Sequence, residues 1–181
     1  MTRSLALLLL LLLLAACREA TPGAADAGTV AVRVAGLVLD EAADSPVVIL
    51  EEVDGERRLP IWIGLPEAHS IAAVLGSEKP LRPNSHDLSK RLIEGLDGRV
   101  ERVVVTDLRD GVYFARIDLA RDGRTVPVDA RPSDAIAIAL RLAAPLFVHE
   151  ALFETTGFDV KPPGREVRGE ARERQVRPRS L

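Results

Sequence analysis

The chain has 181 residues, a net charge of −3 at neutral pH and only 3% aromatic residues. This composition argues against a passive nucleic-acid-binding module, which depends on a basic face and on aromatic rings for base stacking. The single cysteine, Cys17, excludes a disulfide within the chain and a zinc site built from paired cysteines.

The first 16 residues predict an export signal. Arg3 gives a positive start, and residues 5–16 form an unbroken apolar run that is shorter than the roughly 20 residues of a transmembrane helix. Residues 14–17 read LAAC, which resembles the bacterial lipobox, where the cysteine is acylated and becomes the mature N-terminus. The alternative is an ordinary cleaved signal with a coincidental cysteine. We expect a lipid anchor at Cys17 and a location in the bacterial cell envelope, with the domain on the exported side.

Composition predicts one folded domain between two unfolded segments. Residues 17–28 lack large apolar side chains and are expected to form a lipidated tether, and residues 161–181 are expected to form a disordered, Arg-rich tail. The domain, residues 29–160, is long enough for a single hydrophobic core. It has 15 Lys and Arg against 22 Asp and Glu, a net charge of about −7.

Six apolar segments predict β-strands. They are residues 30–39, 46–53, 59–63, 100–108, 112–119 and 125–128. An Asp-Gly pair, beginning at Asp54, Asp110 or Asp122, separates the second strand from the third, the fourth from the fifth and the fifth from the sixth. Because Asp-Gly supplies the positive φ angles of tight hairpin turns, these pairs predict antiparallel hairpins.

Three further segments predict helices over residues 67–75, 87–96 and 133–143. Pro66 and Pro132 stand at favourable first positions of the first and third helix, and Asn84 or Ser85 can cap the second. The third helix has apolar residues on nearly all of its sides, so we expect it to be central and buried. The fold class is therefore α+β, with a mixed, largely antiparallel sheet and about three helices in one domain.

The candidate functional residues lie at the starts of these helices. They are Glu67 for the first helix, His86 and Asp87 for the second, and Asp129, Arg131, Ser133 and Asp134 for the third. Helix N-termini bind phosphate, carboxylates hold Mg²⁺ or Mn²⁺ through oxygen, and arginine can bind two phosphate oxygens at once. If the three helix starts converge, the combination suits metal-assisted cleavage of a phosphodiester.

Structural roles explain part of the same pattern. Acidic residues in a first helical turn are favoured by the helix dipole, and Asp87 stands where a capping box with Asn84 would place it. Arg131 occupies an N-cap position where a short polar residue is usual, so it needs a partner. That partner is either Asp129 or Glu67 in an ion pair, or a substrate phosphate.

Several blocks of this sequence resemble the bifunctional nuclease domain family. They are LPIWIG at 59–64, EA at 67–68 followed by IA at 71–72, RPNSHDL at 82–88, VTDL at 105–108 and DARPSDAIAIA at 129–139. The resemblance spans residues 32–152 and implies a nuclease that acts on DNA and RNA. Ser85 departs from the family, in which threonine is usual before His-Asp, and the lipoprotein leader is a second departure.

The residues and the resemblance together favour a metal-dependent nuclease of DNA, RNA or both. In this hypothesis Glu67, Asp87, Asp129 and Asp134 bind Mg²⁺ or Mn²⁺, His86 assists proton transfer, and Arg131 with Ser133 holds phosphate. The alternative is a non-catalytic envelope module that uses the same groove for a protein or a small anionic ligand. Either function is compatible with a homo-oligomer.

The predicted lipid anchor is tested by Cys17→Ala. We expect the substitution to release the protein from membrane fractions or to block its processing, because no other cysteine can be acylated. Fractionation and the mass of the mature protein measure both effects. A variant that stays membrane-bound and is processed normally would show that Cys17 carries no anchor.

Overall fold

The computed structural model describes residues 27–77 and 80–155. The predicted signal segment, Cys17 with nearly all of the tether, and the Arg-rich tail lie outside these residues. Within them the first strand begins at Thr29. No helix in the described ranges is long and apolar enough to cross a membrane.

Seven strands form one mixed sheet in the order β3-β2-β1-β7-β4-β5-β6. The strands are β1 (Thr29–Asp40), β2 (Ser45–Glu52), β3 (Arg58–Trp62), β4 (Arg99–Arg109), β5 (Val112–Arg121), β6 (Arg124–Ala130) and β7 (Leu146–His149). Neighbouring strands are antiparallel except β4 and β7, which are parallel. The six predicted strands and the largely antiparallel sheet are confirmed.

The helices are α1 (Leu65–Leu75), α2 (Ser85–Gly95), α3 (Pro132–Leu142) and the short α4 (Ala151–Thr155). The first three confirm the predicted helices to within a few residues at each end. In the helical layer α3 contacts both α1 and α2 and packs on β4 and β5, while α1 packs on β2. This arrangement brings the three long helices side by side.

Strand β7 was not predicted, although it joins the two halves of the sheet. Its four residues pair antiparallel with β1 and parallel with β4, so the hairpins β1–β2–β3 and β4–β5–β6 become one sheet. A run this short shows no alternation that distinguishes it from the end of the preceding apolar helix. Only its partners on both sides make it a strand.

Two of the three Asp-Gly turns have the predicted geometry. Asp110 and Gly111 have φ angles of 50° and 78°, and Asp122 and Gly123 have 50° and 71°, as a two-residue hairpin turn requires. The prediction of positive φ was wrong for the pair at Asp54, where the connection between β2 and β3 is longer. There the Glu52 amide donates to the Arg57 carbonyl at 3.1 Å and closes the loop.

Helix α3 forms the centre of the core, as predicted. Ala135, Ile136, Ala137 and Ala139 are fully buried between the neighbouring helices and the sheet. The small alanines let the helix approach its neighbours closely, while Ile136 fills the space between them. The N-terminus of this helix is therefore held by packing on several sides.

Removing the Ile136 side chain should destabilise the whole domain. We expect Ile136→Ala to lower the free energy of unfolding by about 2 to 5 kcal/mol, because it loses buried apolar contacts and leaves a cavity. Leu39 is 55% exposed, so Leu39→Ala is the control and should change stability little. Urea unfolding measures both variants. Equal effects would show that α3 is not the centre of the core.

Candidate functional site

The three long helices begin in different ways. Helix α2 has a complete capping box, in which the Asn84 side chain accepts from helix amides and the Asp87 side chain accepts from the Asn84 amide. Helix α1 begins after Gly64 and α3 after Arg131, and neither has a side-chain cap. The starts of α1 and α3 therefore leave helix amides available to other acceptors.

Arg131 connects the starts of α1 and α3. Its Nη2 donates to Glu67 Oε1 at 2.7 Å, and its Nε and Nη2 donate to the two oxygens of Asp134 at 2.7 and 3.0 Å. The sequence left Asp129 and Glu67 as possible ion-pair partners of Arg131, and the structure shows the contact with Glu67. Asp134 is a further partner. The Arg131 side chain is 67% exposed. Its guanidinium thus stands at the surface with a carboxylate on either side.

Gly64 leaves room for the Glu67 carboxylate, and its role was not predicted. A Cβ on Gly64 would overlap Glu67 Oε2, so with any larger residue at this position the carboxylate would have to shift. The backbone of Gly64 is extended, with φ −70°, a conformation open to any residue. Close approach, and not backbone freedom, is therefore the reason for glycine at the end of LPIWIG.

His86 is buried beneath this ion-pair group and contacts it. Its Nε2 lies 3.0 Å from Asp134 Oδ1, and its Nδ1 lies 2.8 Å from Ser70 Oγ. The Ser70 oxygen also accepts from Asn84 Nδ2 at 3.0 Å and from Arg141 Nη2 at 2.9 Å.

These contacts determine which His86 nitrogen carries the proton. A serine hydroxyl has two lone pairs and one hydrogen, and both lone pairs of Ser70 are taken by N–H donors. Its hydrogen must therefore point to His86 Nδ1, which accepts. The ring proton is then on Nε2 and is donated to Asp134. Both nitrogens of His86 are engaged within the protein.

Arg141, at the other end of α3, anchors the same network and was also not predicted. Only 5% of its side chain is exposed. Its Nε donates to Asp87 Oδ1 at 2.6 Å, and its other donors reach the Ala137 carbonyl and the Ser70 carbonyl and hydroxyl. An arginine in the otherwise apolar sequence IAIALRL was the available signal. A buried cation needs such a set of acceptors.

Asp87 has both oxygens occupied by structural contacts. Oδ1 accepts from Arg141, and Oδ2 accepts from the Asn84 amide at 2.9 Å. The Arg141 hydrogen bond is the main cause that lowers the pKa of Asp87 below its ordinary value. Burial acts to raise the pKa of Asp134, but hydrogen bonds from Arg131 and His86 outweigh it and the net shift is downward. Both carboxylates are held in the charged form.

The two remaining predicted residues take no part in these hydrogen bonds. Asp129 is exposed on β6, opposite Arg116 of β5, and Arg131 donates to Glu67 and Asp134 instead of to Asp129. Ser133 is buried in the first turn of α3.

The four carboxylates predicted to bind metal therefore do not form one cluster. Glu67 and Asp134 flank Arg131, whereas Asp87 pairs with Arg141. Across residues 27–77 and 80–155, no group of three or more His, Cys, Asp or Glu side chains is arranged to hold a metal ion. The two carboxylates beside Arg131 are the ones the fold brings together.

Comparison with known proteins identifies relatives that share this domain. The family model of the bifunctional nuclease domain matches residues 48–161, which include the whole ion-pair group around Arg131. An uncharacterized protein of Mycobacterium tuberculosis is 43% identical over 126 residues, which are 70% of this chain and 75% of that protein. Bifunctional nuclease 1 of Arabidopsis thaliana is 30% identical over 131 residues, which are 70% of this chain and 40% of the plant protein.

Loss of the Asp87 carboxylate should destabilise the fold, because it leaves Arg141 buried without its anion. We expect Asp87→Ala to cost about 3 to 5 kcal/mol in free energy of unfolding at neutral pH. Asp129→Ala, at an exposed carboxylate, is the control and should change stability by less than about 0.5 kcal/mol.

The effect of Asp87→Ala should depend on pH. Because folding lowers the pKa of Asp87, its contribution is present above the unfolded value of about 4 and is lost as the pH falls through the lower folded pKa. Urea unfolding from neutral to acidic pH should therefore show the wild type approaching the variant. A difference that is independent of pH would contradict a charged Asp87–Arg141 pair.

Proposed function

This chain belongs to the bifunctional nuclease domain family, and we propose that it is a metal-dependent nuclease that hydrolyses phosphodiester bonds of DNA, RNA or both at the start of α3. One observation carries the proposal: the exposed guanidinium of Arg131 lies between two carboxylates at a helix N-terminus without a side-chain cap. The names of the plant relatives, bifunctional nucleases, support the same class of reaction.

The start of α3 offers two kinds of phosphate contact. Arg131 presents a planar fork of donors that matches two phosphate oxygens. The first turn of the helix has no side-chain cap and adds the positive end of the helix dipole. A phosphate here would share Arg131 with the acids that it now contacts.

Glu67 and Asp134 are the residues that we propose to hold Mg²⁺ or Mn²⁺. Magnesium sites in phosphate-handling proteins take one or two carboxylates and complete the coordination with water and phosphate oxygens, so a pair of carboxylates is a sufficient donor set. When bound, the ion supplies charge neutralisation and polarises the phosphoryl oxygen. Asp87 is outside this pair because its partner is the buried Arg141, whereas Glu67 and Asp134 are held by the exposed Arg131. Asp129 is outside it because Arg131 donates to the other two carboxylates.

His86 is a positioning residue in this proposal, in place of the proton-transfer role expected from the sequence. Its Nε2–H holds Asp134 Oδ1, while Nδ1 is occupied by the Ser70 hydroxyl. Because neither nitrogen is free, the ring is suited to fixing the direction of the carboxylate. Asp134 is thereby held by Arg131 on the solvent side and by His86 on the protein side.

We further propose that the enzyme acts in the bacterial cell envelope through an acylated Cys17. The LAAC sequence after an apolar run supports this location. Nucleic acid outside the cytoplasm is then the expected substrate.

Arg131→Ala tests the assigned site. We expect hydrolysis of labelled DNA and RNA to fall by about 10²-fold or more, because a charge-assisted phosphate contact is lost. Stability should change by no more than about 1 kcal/mol, because Arg131 is mostly exposed. Arg109 is a matched control, since it is also 67% exposed and paired with a neighbouring aspartate, and Arg109→Ala should keep its activity.

The assay uses the full chain with Mg²⁺, with Mn²⁺ and with a chelator. Activity that depends on the ion and disappears in Arg131→Ala, with unfolding unchanged, supports the proposal. A wild-type chain that binds oligonucleotides without cleaving them would favour the non-catalytic envelope module. A large stability loss in Arg131→Ala would mean that the ion-pair group is structural.

A further inference from the structure

Helix α2 carries a row of exposed leucines that the proposed nuclease site does not use. Leu88, Leu92 and Leu96 follow one another every four residues and therefore lie on one side of the helix. They are 53%, 56% and 56% exposed. A surface helix normally turns such a row toward the core, but in α2 the core side is formed by the buried His86 and the partly buried Ile93.

The end of the row lies near the sheet edge formed by β5 and β6. A Cβ built on Gly98, just after α2, would lie 3.5 Å from Leu119 Cδ1, and Leu119 is directly opposite Val126. Val126 and Val128 project from the same side of β6 and are 54% and 40% exposed. We call these five residues the leucine face: Leu88, Leu92, Leu96, Val126 and Val128.

The polar side chains nearest to the leucine row are few. Ser89, next to the row, donates its hydroxyl to the Ser85 carbonyl at 2.9 Å and so is already satisfied within the helix. The Lys90–Glu94 pair lies on the opposite side of α2 from the leucines, where solvent remains available. Burial of the row would therefore remove mainly apolar surface from water.

We propose that the leucine face binds a second copy of this chain and forms a twofold symmetric dimer. Three leucines at equal spacing are self-complementary: with the axis at Leu92, that residue meets its own copy and Leu88 meets Leu96 of the partner subunit. This proposal is independent of the nuclease activity.

The area of the face fits such a dimer. From their exposed fractions, the five residues present about 400 to 500 Å² of surface. Each partner contributes roughly 800 Å² to a standard interface, and somewhat more than half of that area is apolar. The leucine face is therefore about as large as the apolar part of one side of such an interface. The contact must use the face and not the strand edge alone. Pro127, in the middle of β6, has no N–H to donate to an added strand.

Sedimentation equilibrium of the full chain in density-matched detergent measures its molecular mass and tests this proposal. We expect a dimer at micromolar concentration and a monomer for Leu92→Glu, because a charge at the axis would face its own copy. Leu39→Glu is the matched control, since Leu39 is equally exposed but lies on β1, away from β6, and it should stay dimeric. Thermal unfolding by circular dichroism should show both variants folded.

Disulfide cross-linking tests the twofold arrangement separately from the molecular mass. Under mild oxidation, Leu92→Cys should form a disulfide-linked dimer that Leu39→Cys does not form, because only position 92 is placed next to its own copy. A wild-type monomer at up to about 100 μM, where a standard-size interface would be occupied, overturns the proposal. So does a Leu92→Glu variant that remains dimeric, or cross-linking that is equal at positions 92 and 39.

Discussion

The buried guanidinium of Arg141 is the constraint on which the rest of the site depends. A cation with 5% of its side chain exposed must be matched by acceptors on every donor, and here those acceptors come from three helices. Asp87 belongs to α2, Ser70 to α1 and Ala137 to α3 itself. Arg141 therefore fixes the positions of the three helices relative to one another. Packing of the small alanines alone would define these positions less precisely.

The orientation set by Arg141 is passed along one line of hydrogen bonds to the surface. Arg141 and Asn84 occupy the lone pairs of Ser70, Ser70 then donates to His86, and His86 donates to Asp134. Asp134 in turn holds Arg131. One helix thus carries a structural arginine in its last turn and an exposed arginine at its start. Because each donor direction is set by the preceding contact, the partly buried Asp134 carboxylate has little freedom to rotate.

The features that were predicted correctly are those determined by residues next to one another in the chain. Asp-Gly at Asp110 and Asp122 encodes its own turn geometry, and the capping box of α2 is contained in the sequence NSHD. Strand β7 was missed because its identity lies in its partners and not in its four residues. The repeat of Leu88, Leu92 and Leu96 indicated a helix but not which side is buried, since an exposed row and a core-facing row have the same period.

The candidate site shows the same division. The sequence indicated that polar helix starts could meet, and Glu67, His86, Arg131 and Asp134 are in one connected group. It could not separate Asp87 from that group. The first-turn position that suits a metal ligand also suits a cap, and the decision rests on Arg141, which lies 54 residues away in the chain. Ser70 was missed for a related reason, because it matters only through the side chains of other helices that folding brings to it.

The charge of the domain limits how a polyanion could be recognised at this site. With 22 acidic against 15 basic residues between positions 29 and 160, the domain offers little long-range attraction for nucleic acid. Recognition must then be concentrated where positive potential is local, at the exposed Arg131 and the uncapped start of α3. A divalent ion held by Glu67 and Asp134 would neutralise the two carboxylates that otherwise repel the same phosphate. In that arrangement the ion would be needed for approach of the substrate as well as for chemistry, so the proposed nuclease activity would require the metal.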